Sequence, residues 1–288
     1  MPANSEEQAA DCDLCGTKNP RFVLNSPGLD GPLVECVSCG FRYVGLRRSN
    51  LVFGADSGSV TTQRVIQANE SFRQLSGTEE HRLGRLNAQW RLDLMQQFKS
   101  GGKLLEVGCA RGDFLDVASK SFNVFGVEPN PDLAADSRRI APLFEGVIER
   151  VPWKDFDVAA SFHVIEHVDS PRRFIQAMAE RLKPGGLLVI ETPNIASLPF
   201  TLLKSRWRQF IPEHYFFFDP KTISRLFKDH GLEVRRVKNI GKHASAGLVL
   251  NRLSRYCRWL PQTNGSSSLT FRINPMDIML VFATKKPA

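Results

Sequence analysis

Apolar residues recur at helical spacing through "HRLGRLNAQWRLDLMQQF", where Leu83, Leu86, Trp90, Leu94 and Phe98 predict an amphipathic helix packed on a sheet. The period then changes. "KLLEV", residues 103–107, is a short apolar run that predicts a buried strand; after a glycine turn, Phe114, Leu115 and Ala118 face inward again from a helix. Further strand runs follow in "NVFGVEPN", in "FDVAASF" and in the segment ending "ETPN". "DPKTISRLF" starts another helix, with Asp219 as its cap and Pro220 in its first turn. "LEVRRVKNI" and "DIMLVFATKK" are closing strand runs suited to pair as neighbours. Strands alternating with helices predict an α/β architecture.

Two segments break this rhythm. "IASLPFTLLKSRWRQFIP" mixes apolar residues with Lys204, Arg206 and Arg208; it reads as an inserted helix, with a cap over the site or contact to a lipid-linked acceptor as the alternative. Residues 241–276, with "AGLVLNRLSRYCRWL" and "TNGSSS", form an insertion before the last strand, of the kind that shapes a binding pocket, and its low-complexity part reads as a mobile loop.

A chain of 288 residues with 42% hydrophobic content can bury one α/β core and carry one small extra module. "MPANSEEQAADC" has no apolar core of a secretion signal, and no run reaches the roughly eighteen apolar residues of a membrane span. The expectation is a soluble, cytoplasmic protein, with a peripheral membrane contact left open. The formal charge of +8 suits a polyanionic partner such as RNA, nucleotide-sugars or anionic headgroups. Because the basic residues are scattered, an ordinary basic surface fits equally well.

Four of the six cysteines form two C-x2-C pairs, each followed by glycine, with twenty residues between Cys15 and Cys36. Cys12, Cys15, Cys36 and Cys39 thus offer four soft ligands for a tetrahedral zinc ion, against the alternative of unliganded core cysteines. Four protein ligands leave no open position, so the expected Zn2+ is structural and supplies folding energy to a segment too small to fold alone. The domain reading is a zinc-ribbon-like module over 1–54, a linker and covering helix over 55–100, and a larger domain over 101–288 with the insertion at 241–276. The polar stretch "GLRRSNLVFGADSGSVTTQ" marks the linker.

The chemistry centres on "LLEVGCARGDFL", a strand, a turn with Gly108 and Gly112, and a helix start. In the dinucleotide version of this turn a middle glycine lets the backbone touch a pyrophosphate; here that position is Ala110. Twenty residues after Gly108, Glu128 ends the next strand and is placed to accept both ribose hydroxyls. The pair points to a ligand with an adenosine-like ribose and no diphosphate.

"LLEVGCARGDFL", "VFGVEPN", "FDVAASFHVIEHVDSP" and "LKPGGLLVIETPN", in that order, resemble the successive motifs of class I S-adenosylmethionine-dependent methyltransferases over about residues 80–286. The resemblance implies a Rossmann-like seven-stranded sheet with an antiparallel last strand and S-adenosyl-L-methionine (SAM) as cofactor. It implies that Glu106, Gly108, Cys109, Ala110 and Gly112 surround the methionine part, Glu128 holds the ribose, Val147 and Ile148 flank adenine, and Phe162 and His163 lie beside the sulfonium. "PEH" together with the CxxC/CxxC module is also similar to the zinc-bearing nucleotide-sugar C-methyltransferases, although this sequence ends soon after its last strand, without their large carboxyl-terminal domain.

Methyl transfer requires alignment of the acceptor and, for a hydroxyl or carbon acid, removal of its proton. His214, with Glu213 and Tyr215 beside it, is a candidate base on a loop expected to overhang the crevice. His167 is the second candidate, with a locally hydrogen-bonded helix N-terminal residue as its alternative role. The leading expectation is an enzyme methylating a small-molecule or carbohydrate acceptor, including a nucleotide- or lipid-linked sugar. Alternatives are an RNA methyltransferase and a catalytically silent methyltransferase-like binding protein. The absence of a clustered basic and aromatic stripe argues against a nucleic-acid partner.

Overall fold

The computed structural model describes residues 11–46, 77–247, 249–250, 259 and 269–287. The polar linker beyond residue 46 and the "TNGSSS" segment lie outside the described residues. The main sheet contains β4 (Lys103–Val107), β5 (Asn123–Val127), β6 (Leu143–Phe144), β7 (Phe156–Phe162), β8 (Leu182–Pro193), β10 (Leu232–Asn239) and β13 (Ile278–Lys285). Their order is β10-β13-β8-β7-β4-β5-β6. β4 pairs in parallel with β5 and β7, and β7 with β8; β13 runs antiparallel between β8 and β10. The expected seven-stranded sheet with an antiparallel last strand is therefore present. β7 and β13 read as nearly continuous apolar runs because both faces of the sheet are covered.

Helices occupy both faces: α1 (Gly77–Gln96), α2 (Asp113–Ala118), α3 (Pro131–Ser137), α4 (Pro171–Arg181), α5 (Leu198–Leu203) and α6 (Pro220–Asp229). In α1, Leu83 and Leu94 are buried while Leu86 turns outward, and Phe98 follows the helix end to stack on Phe282 of β13. α6 starts as its sequence dictates: the Asp219 carboxylate accepts from the backbone N–H of Lys221 and Thr222, and the Thr222 hydroxyl answers at the Asp219 N–H. α5 leaves Leu198, Leu202 and Leu203 exposed. No helix among the described residues is long and apolar enough to cross a membrane.

The amino-terminal residues form β1 (Pro20–Leu24), β2 (Leu33–Cys36) and β3 (Arg42–Val44), an antiparallel sheet whose fourth strand comes from the far side of the chain. That strand is β9 (Phe216–Phe217), with Tyr43 opposite Phe216. Within the 241–276 segment, β11 (Lys242–Ser245) and β12 (Thr270–Ile273) make a two-stranded ribbon. It rests on α1 through a hydrogen bond from the His243 N–H to Asn87 and through the Arg272 guanidinium over Trp90.

Candidate functional site

In the main sheet the chain leaves β4 toward β5 and β6 on one side and later returns to β7 and β8 on the other, so the carboxyl ends of β4 and β7 flank the topological switch where open α/β sheets bind ligands. Gly108 follows β4 with φ +76°, and a Cβ there would meet Val164 of the opposite loop at 2.4 Å. The Ala110 position also takes a left-handed φ, +45°, despite its side chain. Its N–H donates to Glu128 at 2.9 Å and its carbonyl accepts from the Ser137 hydroxyl, which offsets the strain. Gly112 caps α2 with φ +83°.

Two acids face this loop. Glu128 is buried at the end of β5; its carboxylate takes N–H bonds from Ala110 and Asn130, both 2.9 Å, and burial raises its pKa. Glu106 is buried with Oε2 lacking any hydrogen-bond partner, and burial, with Asp113 and Glu128 nearby, raises its pKa well above the ordinary range despite Arg91. A buried carboxylate with one oxygen unpartnered beside a glycine turn fits a cationic ligand group such as the ammonium of a methionine moiety. The Asn130 side-chain nitrogen is also buried without a partner, two residues beyond Glu128. Cys109 contributes backbone only: its thiol packs against Gly126 of β5, and burial pushes its pKa up. Val147 is half-buried ahead of a short 3₁₀ turn, while the Ile148 side chain belongs to the core.

Across the crevice lies a chain of charges that the sequence reading missed. Glu191 of β8 is fully buried and accepts two bonds from Arg91 of α1, at 2.6 and 2.7 Å. Burial alone would raise Glu191, but Arg91 and His163 outweigh it and hold the carboxyl well below its usual range. His163, left-handed at φ +57°, stands between two carboxylates: Nε2 is 2.8 Å from Glu191 and Nδ1 is 2.9 Å from Glu166. Glu166 also accepts from the Thr192 hydroxyl at 3.0 Å; burial would raise its pKa, but the bond to His163 and the charges of His163, His167 and His214 lower it to about 2. The Arg91 guanidinium lies 4.6 Å over the Phe162 ring, which meets Phe114 edge-on. Two signals pointed to this network: Arg91 occupies the apolar face of its helix, and Glu191 interrupts an apolar strand. Nearby, buried Asp277 holds Arg208 through two bonds, at 2.6 and 2.7 Å.

His167 and His214 converge beside this network, with ring centroids 4.7 Å apart at 71°. Each is anchored by Nδ1–H donating to a carbonyl, that of Glu213 at 2.9 Å for His167 and that of Gln209 at 2.7 Å for His214. His214 does not overhang the crevice from outside, as its loop position suggested; it is buried, 5% exposed. Burial, with the adjacent His167, lowers its pKa to about 3, and burial lowers that of His167 too. The value of 6.5 expected for an open loop does not hold, because "EHYFFF" packs inward with its aromatic run. Tyr215 is buried, and its backbone N–H donates to the Glu166 carbonyl at 2.9 Å; Glu213 is half-buried.

The four amino-terminal thiols come together, with all four Sγ atoms within 4.8 Å of one another. Gly16 and Gly40 close the two knuckles at φ +75° and +73°, donating to the carbonyls of Cys12 and Cys36. A Cβ at either glycine would meet nothing within 4 Å, so backbone angle and not space selects glycine there. Burial drives the Cys12 thiol up and that of Cys39 to about 11; a soft divalent cation would reverse this, and the donor set fits one.

Residues 79–237 match the family described as "Methyltransferase domain". The chain is 28% identical over 186 residues to the mitochondrial ubiquinone biosynthesis O-methyltransferase of Rattus norvegicus, covering 57% of this chain and 52% of that protein. It is 26% identical over 183 residues to the ubiquinone biosynthesis O-methyltransferase of Leptothrix cholodnii, covering 56% and 76%. The chain thus spans about half the length of the mammalian relative. A methyltransferase of Haloferax volcanii, solved in complex with the Trm112 methyltransferase activator, superposes with TM-score 0.55 at 14% identity, covering 81% of this chain and 100% of that one. Magnesium protoporphyrin IX methyltransferase from Synechocystis, with bound SAH, gives TM-score 0.52 at 11% identity, covering 78% and 100%. These likenesses establish a shared fold.

Proposed function

Because the chain belongs to the methyltransferase-domain family, we propose that it transfers a methyl group from S-adenosylmethionine to a small-molecule or carbohydrate acceptor, nucleotide- or lipid-linked sugars among them. The names of the relatives, which act in ubiquinone biosynthesis, support a small-molecule acceptor and an oxygen nucleophile. When bound, the cofactor supplies a methyl group already activated on a sulfonium. Glu106 then pairs its unsatisfied oxygen with the ammonium group, and Glu128 accepts the ribose hydroxyls with the lone pairs its two N–H donors leave. The backbone at Gly108, Cys109, Ala110 and Gly112 would line the methionine part, Val147 and the backbone at Ile148 would flank adenine, and Phe162 and His163 would border the reacting centre. One structural zinc occupies Cys12, Cys15, Cys36 and Cys39, whose clustered thiols support it.

The observation that carries the acceptor assignment is the histidine pair, buried His214 against half-buried His167. Because the Nδ1–H of His214 is committed to a carbonyl, Nε2 is its basic nitrogen. A pKa near 3 suits a base that acts late. As methyl transfer puts positive charge on an acceptor hydroxyl, its proton becomes strongly acidic, and even a weak neutral base removes it. The Glu166 carboxylate then stabilises the imidazolium that forms, while His167, Glu213 and Tyr215 hold the pocket around it.

Incubating the protein with methyl-labelled cofactor and a combined metabolite and RNA extract should place label in small molecules. Label confined to RNA would overturn the acceptor assignment. With the acceptor in hand, His214→Gln should keep cofactor affinity while turnover falls by about 10²-fold or more, and His167→Gln should have the smaller effect. Wild-type turnover in both variants would mean that alignment alone suffices.

A further inference from the structure

The amino-terminal module does not sit apart from the methyltransferase domain. Between Cys12 and Cys15, the Asp13 carboxylate accepts from the Ser170 hydroxyl at 2.7 Å and from the Arg172 N–H at 2.9 Å, at the start of α4. Arg172 returns a bond to the Leu14 carbonyl at 3.1 Å. The first knuckle therefore grips the end of the loop 163–170, which carries His163, Glu166 and His167. Two residues after Cys39, Phe41 stacks on Phe216, with centroids 5.9 Å apart and planes 5° apart, and packs on Phe218 at 4.9 Å. Val44 of β3 donates its N–H to the Tyr215 carbonyl at 2.9 Å, while the Tyr215 N–H donates to the Glu166 carbonyl at 2.9 Å. The second knuckle thus grips the loop that carries His214.

Each knuckle holds one histidine-bearing segment, and the four thiols are where the two knuckles meet: Cys12 is 3.6 Å from Cys39, and Cys15 is 3.4 Å from Cys36. We infer that the metal-binding module is a clamp on the acceptor site: a divalent cation at the four cysteines locks the His167 and His214 loops together, while the cofactor half of the crevice stands without it. This rests on the reading of the four cysteines as a zinc site. The glycine loop and Glu128 belong to β4, β5 and the helices that follow them. Their hydrogen bonds go to one another and not to the module.

The test is hydrogen exchange on the full chain, zinc-loaded and after chelation, with metal content and S-adenosylhomocysteine affinity measured on the same samples. Chelation should raise exchange in peptides covering 163–172 and 209–219 by at least about tenfold, with 103–128 and ligand affinity changing less than about twofold. Asp13→Ala, which spares every thiol, should retain zinc yet loosen 163–172 alone; Phe41→Ala should retain zinc and loosen 209–219. A zinc-loaded protein whose two segments exchange equally before and after chelation overturns the clamp and leaves the zinc site standing. So does a chelated protein that loses protection everywhere together with ligand binding, because the module is then a general stabiliser. Protein that takes up no zinc removes the site and the clamp together.

Discussion

Replacing Glu128 by Ala isolates the contact on which the proposed cofactor placement depends. This carboxylate accepts two N–H bonds of 2.9 Å, from Ala110 and Asn130, and burial still raises its pKa. Ribose hydroxyls would add donors to an anion that is under-satisfied, and hydrogen bonds to a charged group contribute about 1.5–3 kcal/mol. At about 1.4 kcal/mol per decade, Glu128→Ala should weaken S-adenosylhomocysteine binding by roughly 10- to 150-fold. Glu128→Gln should also weaken it, since the amide can turn an acceptor toward only one of the two backbone donors and must set its NH₂ against the other. Because bound hydroxyls favour the ionised form, wild-type affinity should fall as pH drops through the raised titration range of Glu128, and this dependence should weaken in the Ala variant, leaving the part that Glu106 supplies. Calorimetry is the assay, with thermal melts confirming that the variants fold. A dissociation constant within twofold of wild type in folded Glu128→Ala would remove the ribose from Glu128.

Arg91→Ala leaves the fully buried Glu191 without its two shortest donors and should cost about 3–5 kcal/mol in chemical denaturation, whereas a joint Arg91→Met and Glu191→Leu replacement should recover much of it. Acid should destabilise the protein in two windows. His214 has a folded value of about 3 against an ordinary 6.5, so the unfolded chain binds more protons between them and stability falls as pH drops from 6.5 toward 3. Glu166, about 2 when folded against 4.5, adds a loss between 4.5 and 2; in denaturation midpoints His214→Gln should shrink the upper window, to which the lowered His167 also contributes, and keep the lower one. An acceptor-saturated rate profile with an inflection near 6.5 would contradict the depressed His214.

The elements that could be read from the chain are those whose signal is local. "KLLEV" is bounded by glycines and becomes β4 at the residues expected, and Asp219–Pro220 starts α6 because a cap acts within one turn. The pairing of "LEVRRVKNI" with "DIMLVFATKK" was legible because both runs must find partners. What escaped depends on long-range partners. β9 is two residues long and exists only because Tyr43 and Arg42 present an edge to it. Arg91 and Glu191 are a hundred residues apart, and each alone reads as an ordinary polar residue. The glycine turn and the strand-end place of Glu128 were legible because their order and spacing are carried within one βαβ unit, while the depth of His214 depends on the module that packs on its aromatic neighbours.

The acids of the crevice separate its two jobs by what satisfies them. Glu166 and Glu191 are fully buried but paired, with pKa values held down by His163 and Arg91, so they build a framework that keeps its charge with or without ligand. Glu106 and Glu128 are also buried, yet burial wins and their pKa values rise, because backbone N–H groups, and for Glu106 the charge of Arg91, compensate them only in part. A desolvated anion short of partners is costly in the free protein, and that cost is recovered only when a ligand brings donors or positive charge. On the proposed reading, Glu106, with its open oxygen, and Glu128 would be where a cationic, hydroxyl-bearing cofactor is recognised, and the histidines beyond the paired acids would be where an uncharged acceptor enters without meeting a net charge. Glu106→Gln should in consequence stabilise the free protein against denaturant at neutral pH while weakening cofactor binding, and a variant that lost both would show that Glu106 is a structural acid with a partner still to be found.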